Sequence, residues 1–486
     1  MTLAIQELLL FLSLGFAVVA FGANPDWARH IFCMLVFFAG AFIVLIAPPA
    51  PASRSLRRSV TILAALMAIP LLQLIPLPSS VQQALTPVHA AMMQKLAQTG
   101  VLEASLAHRT ASIHPFGTLE QYAVVLAAGL LFFVGRRLFM DAGSLKRLAW
   151  FFLGLGFLES LYGLFQYLGK IPHPFLQPGY ELATVASGTY VNRNHFAGLL
   201  EMVFPVVIAV AYAHFLTRIH PDIRYTRRRF RVLMTHPDMP LFCLFLFIAV
   251  WVCLGIIFSM SRTGITGMLV TSLFLALLLG IRHSRHRIQL VGLVFLLAVA
   301  GYAGYIGMEE VLQRFEQLLQ EDVVLQEGRV EVWRDSITLI RDFPLTGVGL
   351  GNYQHAFHKY NRVPRNVIYD HAHNDYLEYL SEWGLPAGLL LIGSVLVIFG
   401  RGLLAFFRVE DNPMLQAMLL GTTGGIFSLL LHSLTDFNLQ IPANLALFTL
   451  LLAATAAMTE QEAAERAEFE AEDGPAESPS SAGIQP

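Results

Sequence analysis

"LFCLFLFIAVWVCLGIIFSM" (241–260) and, two residues later, "TGITGMLVTSLFLALLLG" (263–280) flank a lone Arg262 and settle the fold class. Each run is long enough to cross a hydrocarbon core of ~30 Å as an α-helix. With "SRTG" (261–264) between them, they read as two membrane helices joined by a tight reversal. Similar runs recur near 4–21, 31–48, 59–76, 119–135, 148–167, 195–216, 288–307, 385–400, 413–431 and 441–458. The 486 residues are 55% hydrophobic and only 14% charged, with a mean hydropathy of +0.59. Soluble domains carry about 25% charged residues. The expected class is therefore an all-α polytopic integral membrane protein of about twelve spans. A large loop, 308–384, lies between spans nine and ten and contains helices of its own.

Residues 1–458 read as one transmembrane domain that includes this loop, and 459–486 as a cytoplasmic acidic tail that begins helical and becomes disordered. The N-terminal run has no basic flank and contains Glu7, so it reads as a retained first span and not a cleaved signal peptide. Cys33, Cys243 and Cys253 fall in apolar runs and read as small core residues.

Sidedness follows from the basic residues, which favour the cytoplasmic side. With the N-terminus inside, "PASRSLRR", "RRLFMDAGSLKR", "TRIHPDIRYTRRRFRVLMTHPD", "IRHSRHR" and "RGLLAFFRVEDN" all become cytoplasmic. With Arg466 of the tail they hold 19 of the 32 Lys and Arg. Both termini are then cytoplasmic, and the polar clusters lie on the opposite face. No Walker motif or dinucleotide fingerprint is present, and "GVGLGNY" (347–353) lacks the Lys-Ser/Thr of a phosphate loop. The basic loop at 217–231 suits anionic lipid headgroups, so nucleic acid is not an expected partner.

Four polar clusters gather at the outer ends of spans: "SGTYVNRNHFAGLLEM" (187–202), "SRTG" (261–264), the end of the long loop, and "HSLTDFNLQIPAN" (432–444). Arg193 and Arg262 stand beside apolar segments on the cation-poor side. One reading is interfacial snorkelling. The other is anion recognition, favoured by Asn192, Asn194, His195, Ser261 and Thr263 nearby, because paired guanidinium forks suit adjacent phosphates. Arg329 and Arg334, on an amphipathic loop helix, are further candidate anion contacts or solvated residues.

In "YDHAHNDYLEYLSEWGLPAG" (369–388), helical spacing puts Asn374, Glu378 and Glu382 on one side, with Tyr376, Leu377 and Leu380 nearby for packing. His371, His373 and Asp375 match no specific zinc spacing. His373 as acceptor of a substrate hydroxyl proton suits imidazole chemistry. A helix-capping or loop-tying histidine is the alternative. Tyrosines, asparagines, carboxylates and arginines at one membrane face suit a carrier lipid whose sugar is linked through pyrophosphate. Such a donor is already activated and requires no external nucleotide.

"NRNHFAG" (192–198), "SRTG" (261–264), "LTGVGLGNY" (345–353), "HAHNDYLEYLSEWGLPAG" (371–388) and "HSLTDFNLQIP" (432–442) together resemble the O-antigen ligase and polymerase superfamily of bacterial envelope glycosyltransferases. The resemblance covers roughly residues 1–458. It implies metal-independent, cofactor-free transfer of a glycan from undecaprenyl pyrophosphate at the periplasmic face. The acceptor would be lipid A-core in a ligase, or a second lipid-linked glycan in a repeat-unit polymerase. Other envelope polysaccharide assembly proteins are implied partners. By the same resemblance Arg193 and Arg262 would hold pyrophosphate and His373 would lie at the catalytic centre. Asn374, Tyr376, His432 and Asp436 would shape that centre. Two further classes stay open: a transporter of anionic lipid or polysaccharide, and a non-catalytic assembly subunit that binds glycan.

Overall fold

The computed structural model describes residues 2–46, 54–99, 110–171, 184–219, 235–283, 328–362, 369–410 and 412–472. Among these residues there is no strand. The long helices are α1 (Thr2–Val19), α2 (Asp26–Ile46), α3 (Arg54–Leu74), α6 (Pro115–Leu138), α7 (Ala142–Gly169), α8 (Arg193–His214), α9 (Met239–Phe258) and α10 (Arg262–His283). They continue with α13 (Asp375–Arg408), α14 (Pro413–His432) and α15 (Pro442–Glu472). Shorter helices α4 (Ser79–Leu85), α5 (Pro87–Gln98) and α12 (Tyr353–Phe357), with α11 over 328–342, form a layer outside the bundle.

Among the described residues ten helices are long and apolar enough to cross a membrane, so the chain is a multi-pass membrane protein. The apolar part of α1, Ala4–Val19, is shorter than these ten. The ninth expected span (288–307), the amphipathic segment 309–322 and most of the basic loop at 217–231 lie outside the described residues. α15 runs past residue 458 to Glu472, so the start of the acidic tail is helical. Of the three cysteines, Cys33 and Cys253 are buried but Cys243 is exposed. That corrects its reading as a core residue: it lies on the outward face of α9, where an apolar side chain can face lipid.

α8 is the central helix, buried along almost its whole length and packed against α7, α9, α10, α14 and α15. Lipid supplies no hydrophobic drive between helices, so close approach of small residues matters more. Gly421, Gly424 and Gly425 of α14 provide it: a Cβ on Gly425 would come 2.8 Å from the Met202 carbonyl, and one on Gly421 3.0 Å from Val206 Cα.

The bundle has two chemically distinct ends. At one, ion pairs tie helices together: Arg147 to Glu7, and Arg136 to Glu460 at 2.7 Å. There Arg282 also donates to the carbonyls of Phe407 and Val409 at the end of α13. At the other end, α8, α10, α13 and α15 begin and α9 and α14 finish. The outer layer covers that end, with its own apolar core of Val332, Leu339, Phe343, Val348, Tyr353, Phe357 and Ala372.

The glycine-rich segment is a clamp on α13. Gly347 and Gly384 both have positive φ, +64° and +75°. Their backbones lie so close that a Cβ on Gly347 would overlap the Glu382 carbonyl. Val348 N–H then donates to Ser381 O (2.9 Å), and Leu385 N–H to Pro344 O (2.8 Å). Gly347→Ala should cost on the order of 2–4 kcal/mol, combining left-handed strain with steric overlap. Gly393→Ala, where a Cβ meets open space, should be neutral or slightly stabilising. Thermal unfolding of the two purified variants checks this: equal melting temperatures would remove the clamp.

Candidate functional site

Three helix starts converge at the layered end. Ahead of α8, Thr189 N–H donates to Glu159 Oε2 (3.0 Å) and its hydroxyl to Val18 O (2.7 Å), which fixes the entering turn. Asn192 is the N-cap, its Oδ1 accepting from Asn194 N–H (2.8 Å). Ahead of α10, Met260 takes a φ of +53°, and Ser261 Oγ accepts from Gly264 N–H (3.1 Å). This is the tight reversal expected of "SRTG". Gly264 brings the two starts together, because a Cβ there would lie 2.6 Å from Ala197 Cβ. Arg193 and Arg262, each the first residue of its helix and each half-buried, therefore occupy abutting helix ends. A helix N-terminus favours negative charge, so the location suits an anion even before the guanidinium groups are counted.

Thr435 gathers two more elements. Its hydroxyl meets that of Thr263 (2.9 Å), and its carbonyl accepts from Arg329 Nη1 (3.3 Å). Arg329 thus joins the cluster from α11. Arg334 is exposed further along α11, and among the described residues its recorded bond is a local one, from Thr338 Oγ1 to its carbonyl.

His373 sits immediately before α13 with a φ of +47°, in a region that costs a non-glycine residue about 1–2 kcal/mol. Asn374, in extended conformation, is the N-cap: its Oδ1 accepts from Leu377 N–H (3.0 Å) and its Nδ2 donates to Leu434 O (2.9 Å). The capping alternative for the histidine therefore belongs to its neighbour. His373 Nδ1 lies 3.3 Å from Asp436 Oδ1, with a quarter of its side chain exposed. A carboxylate at Nδ1 selects the tautomer with the proton on Nδ1, leaving the Nε2 lone pair to accept.

Burial alone would raise the Asp436 carboxyl, but the hydrogen bond from His373 and the nearby imidazoles of His432 and His195 outweigh it. They hold it well below the usual carboxylate range.

Phe437 organises three histidines. His371 stacks on its ring at 4.0 Å, while His195 and His373 meet it edge-on at 4.7 and 5.0 Å. His195 Nε2 is buried with no hydrogen-bond partner among the described residues. The three side chains weighed as metal ligands turn to different partners. His371 Nδ1 meets Glu378 (2.7 Å), His373 meets Asp436, and Asp375 accepts from Ser433 Oγ (2.7 Å) and Leu439 N–H (3.1 Å). Glu378 also accepts from Ala372 N–H (2.9 Å), and Tyr376 donates to Leu430 O (2.8 Å). Asn374 and Tyr376 thus tie the start of α13 to the end of α14 and the turn after it, while Glu378 folds residues 371–372 back onto α13. Glu382 likewise accepts from Tyr353 N–H (3.1 Å).

Desolvation lowers the His371 value, but Glu378, with Glu382 and Asp370, more than reverses it, so the group titrates above its ordinary 6.5. A raised folded-state value stabilises fully below about pH 6.5 and is lost as pH rises through the raised value. The melting temperature should therefore fall more steeply as pH rises above about 6.5 in the wild type than in His371→Gln. Parallel slopes in a pH series of thermal melts would remove this ion pair from the account.

Glu201 has no site role in the sequence reading, yet it accepts from His432 Nδ1 (2.9 Å) in the bundle interior. Its signal was a single carboxylate within the apolar run 195–216, which marks a functional or paired group in a membrane helix. Phe437 gave no such signal, since one more aromatic in an apolar chain is unremarked.

No curated protein matches the chain significantly. The O-antigen ligase family model matches residues 247–392, a stretch holding Arg262, Arg329, His371 and His373 but not Arg193, His432 or Asp436. This stretch is therefore similar to an O-antigen ligase domain, which supports the O-antigen ligase superfamily.

Proposed function

We propose that the protein transfers a glycan from an undecaprenyl-pyrophosphate-linked donor to an acceptor hydroxyl at the periplasmic face of the inner membrane. Lipid A-core is the favoured acceptor, as in a ligase. The observation that carries this reading is the pairing of His373 with Asp436 beside the abutting starts of α8 and α10, which bear Arg193 and Arg262.

In the reaction, the acceptor oxygen bonds to the sugar's anomeric carbon as the bond from that carbon to the pyrophosphate oxygen breaks. His373 Nε2 takes the acceptor proton, and the resulting imidazolium faces the Asp436 carboxylate. Arg193, Arg262 and the helix N-termini offset the charge that develops on the departing undecaprenyl pyrophosphate. Arg329 is a further contact for the donor.

Arg136, Arg137, Lys146 and Arg147 around the turn from α6 to α7, and Arg408 at the end of α13, support a periplasmic site, because they lie at the end of the bundle opposite these residues. A repeat-unit polymerase would use the same site with a second lipid-linked glycan as acceptor. Mass analysis of surface glycans and accumulated carriers after gene deletion separates the two. A ligase defect leaves polymerised carrier-linked chains and bare lipid A-core, whereas a polymerase defect leaves single repeats. Normal glycans and carriers after deletion would contradict both.

A further inference from the structure

Glu201 and His432 take part in none of the steps above, and both side chains are fully buried. A carboxylate and an imidazole in a helix-bundle interior are costly, and an apolar pair of similar volume would often serve stability as well. Their placement is specific. His432 Nδ1 is 2.9 Å from Glu201 Oε2, and its Nε2 faces Asp436 Oδ2 at 3.9 Å. Asp436 Oδ1 in turn meets His373 Nδ1 at 3.3 Å. α10 leaves room for the carboxylate at Gly267, where a Cβ would approach Glu201 Oε1 to 2.5 Å. The four groups thus form one line from the centre of the bundle to the half-buried histidine. Glu201–His432 is a short hydrogen bond and His373–Asp436 a long one. His432 Nε2 and Asp436 Oδ2 are both buried and face each other without a hydrogen bond, a spacing that can tighten when substrate binds.

We propose that Glu201 and His432 are positioning residues for transfer. Glu201 fixes the His432 ring, His432 fixes Asp436, and Asp436 holds the His373 Nδ1–H so that Nε2 presents its lone pair to the acceptor. This rests on the transfer reading above. The acceptor proton stops at His373 Nε2 and nothing moves further along the line. Besides Asp436, the groups facing His373 are His195 and His371 around Phe437, Tyr369 edge-on at 6.4 Å, and Arg329 at the Thr435 carbonyl. Replacing Glu201 alters none of these directly.

The test uses full-length protein carrying Glu201→Gln, which keeps the side chain's size and removes its charge. Turnover should fall about 10–100-fold, the range of a displaced catalytic base, while the donor KM stays within about twofold. In a His373→Ala background the same change should cost less than about twofold more, because the line acts only through that imidazole. Glu201→Asp, which keeps the charge, should recover part of the loss. A purely structural role predicts instead reduced abundance with unchanged turnover per folded molecule.

A second arm needs no turnover. Carbethoxylation of His373 by diethyl pyrocarbonate, followed by peptide mass across about pH 5.5–8, should follow a different curve in Glu201→Gln than in the wild type. Exposed His114 should label identically in both proteins. If the wild type transfers nothing, the transfer reading fails while the labelling arm still decides whether Glu201 acts on His373. Unchanged turnover with an unchanged His373 labelling curve overturns the proposal, and so does a loss that multiplies fully with His373→Ala.

Discussion

His373→Ala should lower glycan transfer by about 10²–10⁴-fold, the contribution of a positioned general base, with donor binding largely intact. The reason lies in the local backbone. A left-handed residue ahead of the Asn374 cap turns this imidazole away from α13 and onto Asp436. His371 is the control. It stacks on Phe437 and pairs with Glu378, so alanine there should reduce stability more than it reduces turnover per folded molecule. Donor binding and single-turnover transfer, measured on both variants, separate the outcomes. Normal transfer by His373→Ala would refute the base assignment. Failure through lost donor binding would move the residue to the anion-binding group beside the arginines.

Arg262→Lys should reduce turnover by about 10²-fold at normal membrane abundance. Lysine keeps the charge but lacks the planar fork that engages two oxygens at once. The helix start is set by backbone features that the substitution leaves alone: Met260 in the left-handed region, the Ser261 cap and the close contact of Gly264 with Ala197. The Arg193→Lys loss should not add to it, since two groups gripping one pyrophosphate share a transition state. Wild-type kinetics in Arg262→Lys would remove this residue from the phosphate site, and strict additivity would separate the two arginines.

The fold class was legible because lipid imposes its own arithmetic: unbroken apolar runs of spanning length leave the backbone no alternative to helix. The "SRTG" reversal was legible too, since a short polar break between two spanning runs must turn the chain. What local sequence could not supply was partnership. Glu378 was read as one of a polar face, yet both its oxygens serve His371 and the Ala372 amide six residues back. "GVGLGNY" was recognisable as no phosphate loop, but its clamp on Gly384 joins segments that helical periodicity treats separately. Glu201 and His432 are 231 residues apart, and no pattern within either helix connects them. Side-chain pairing across a bundle is set by helix packing, which depends on where glycines permit close approach.

The central claim is bond transfer from a lipid-linked donor. Its most direct test reconstitutes the folded full-length protein in liposomes with an undecaprenyl-pyrophosphate glycan labelled in the sugar, together with lipid A-core. The account predicts label moving to lipid A-core with release of one undecaprenyl pyrophosphate per glycan transferred, and loss of both signals in His373→Ala. Label crossing the bilayer while still attached to its original lipid, or no transfer across several matched donor–acceptor pairs, would contradict it.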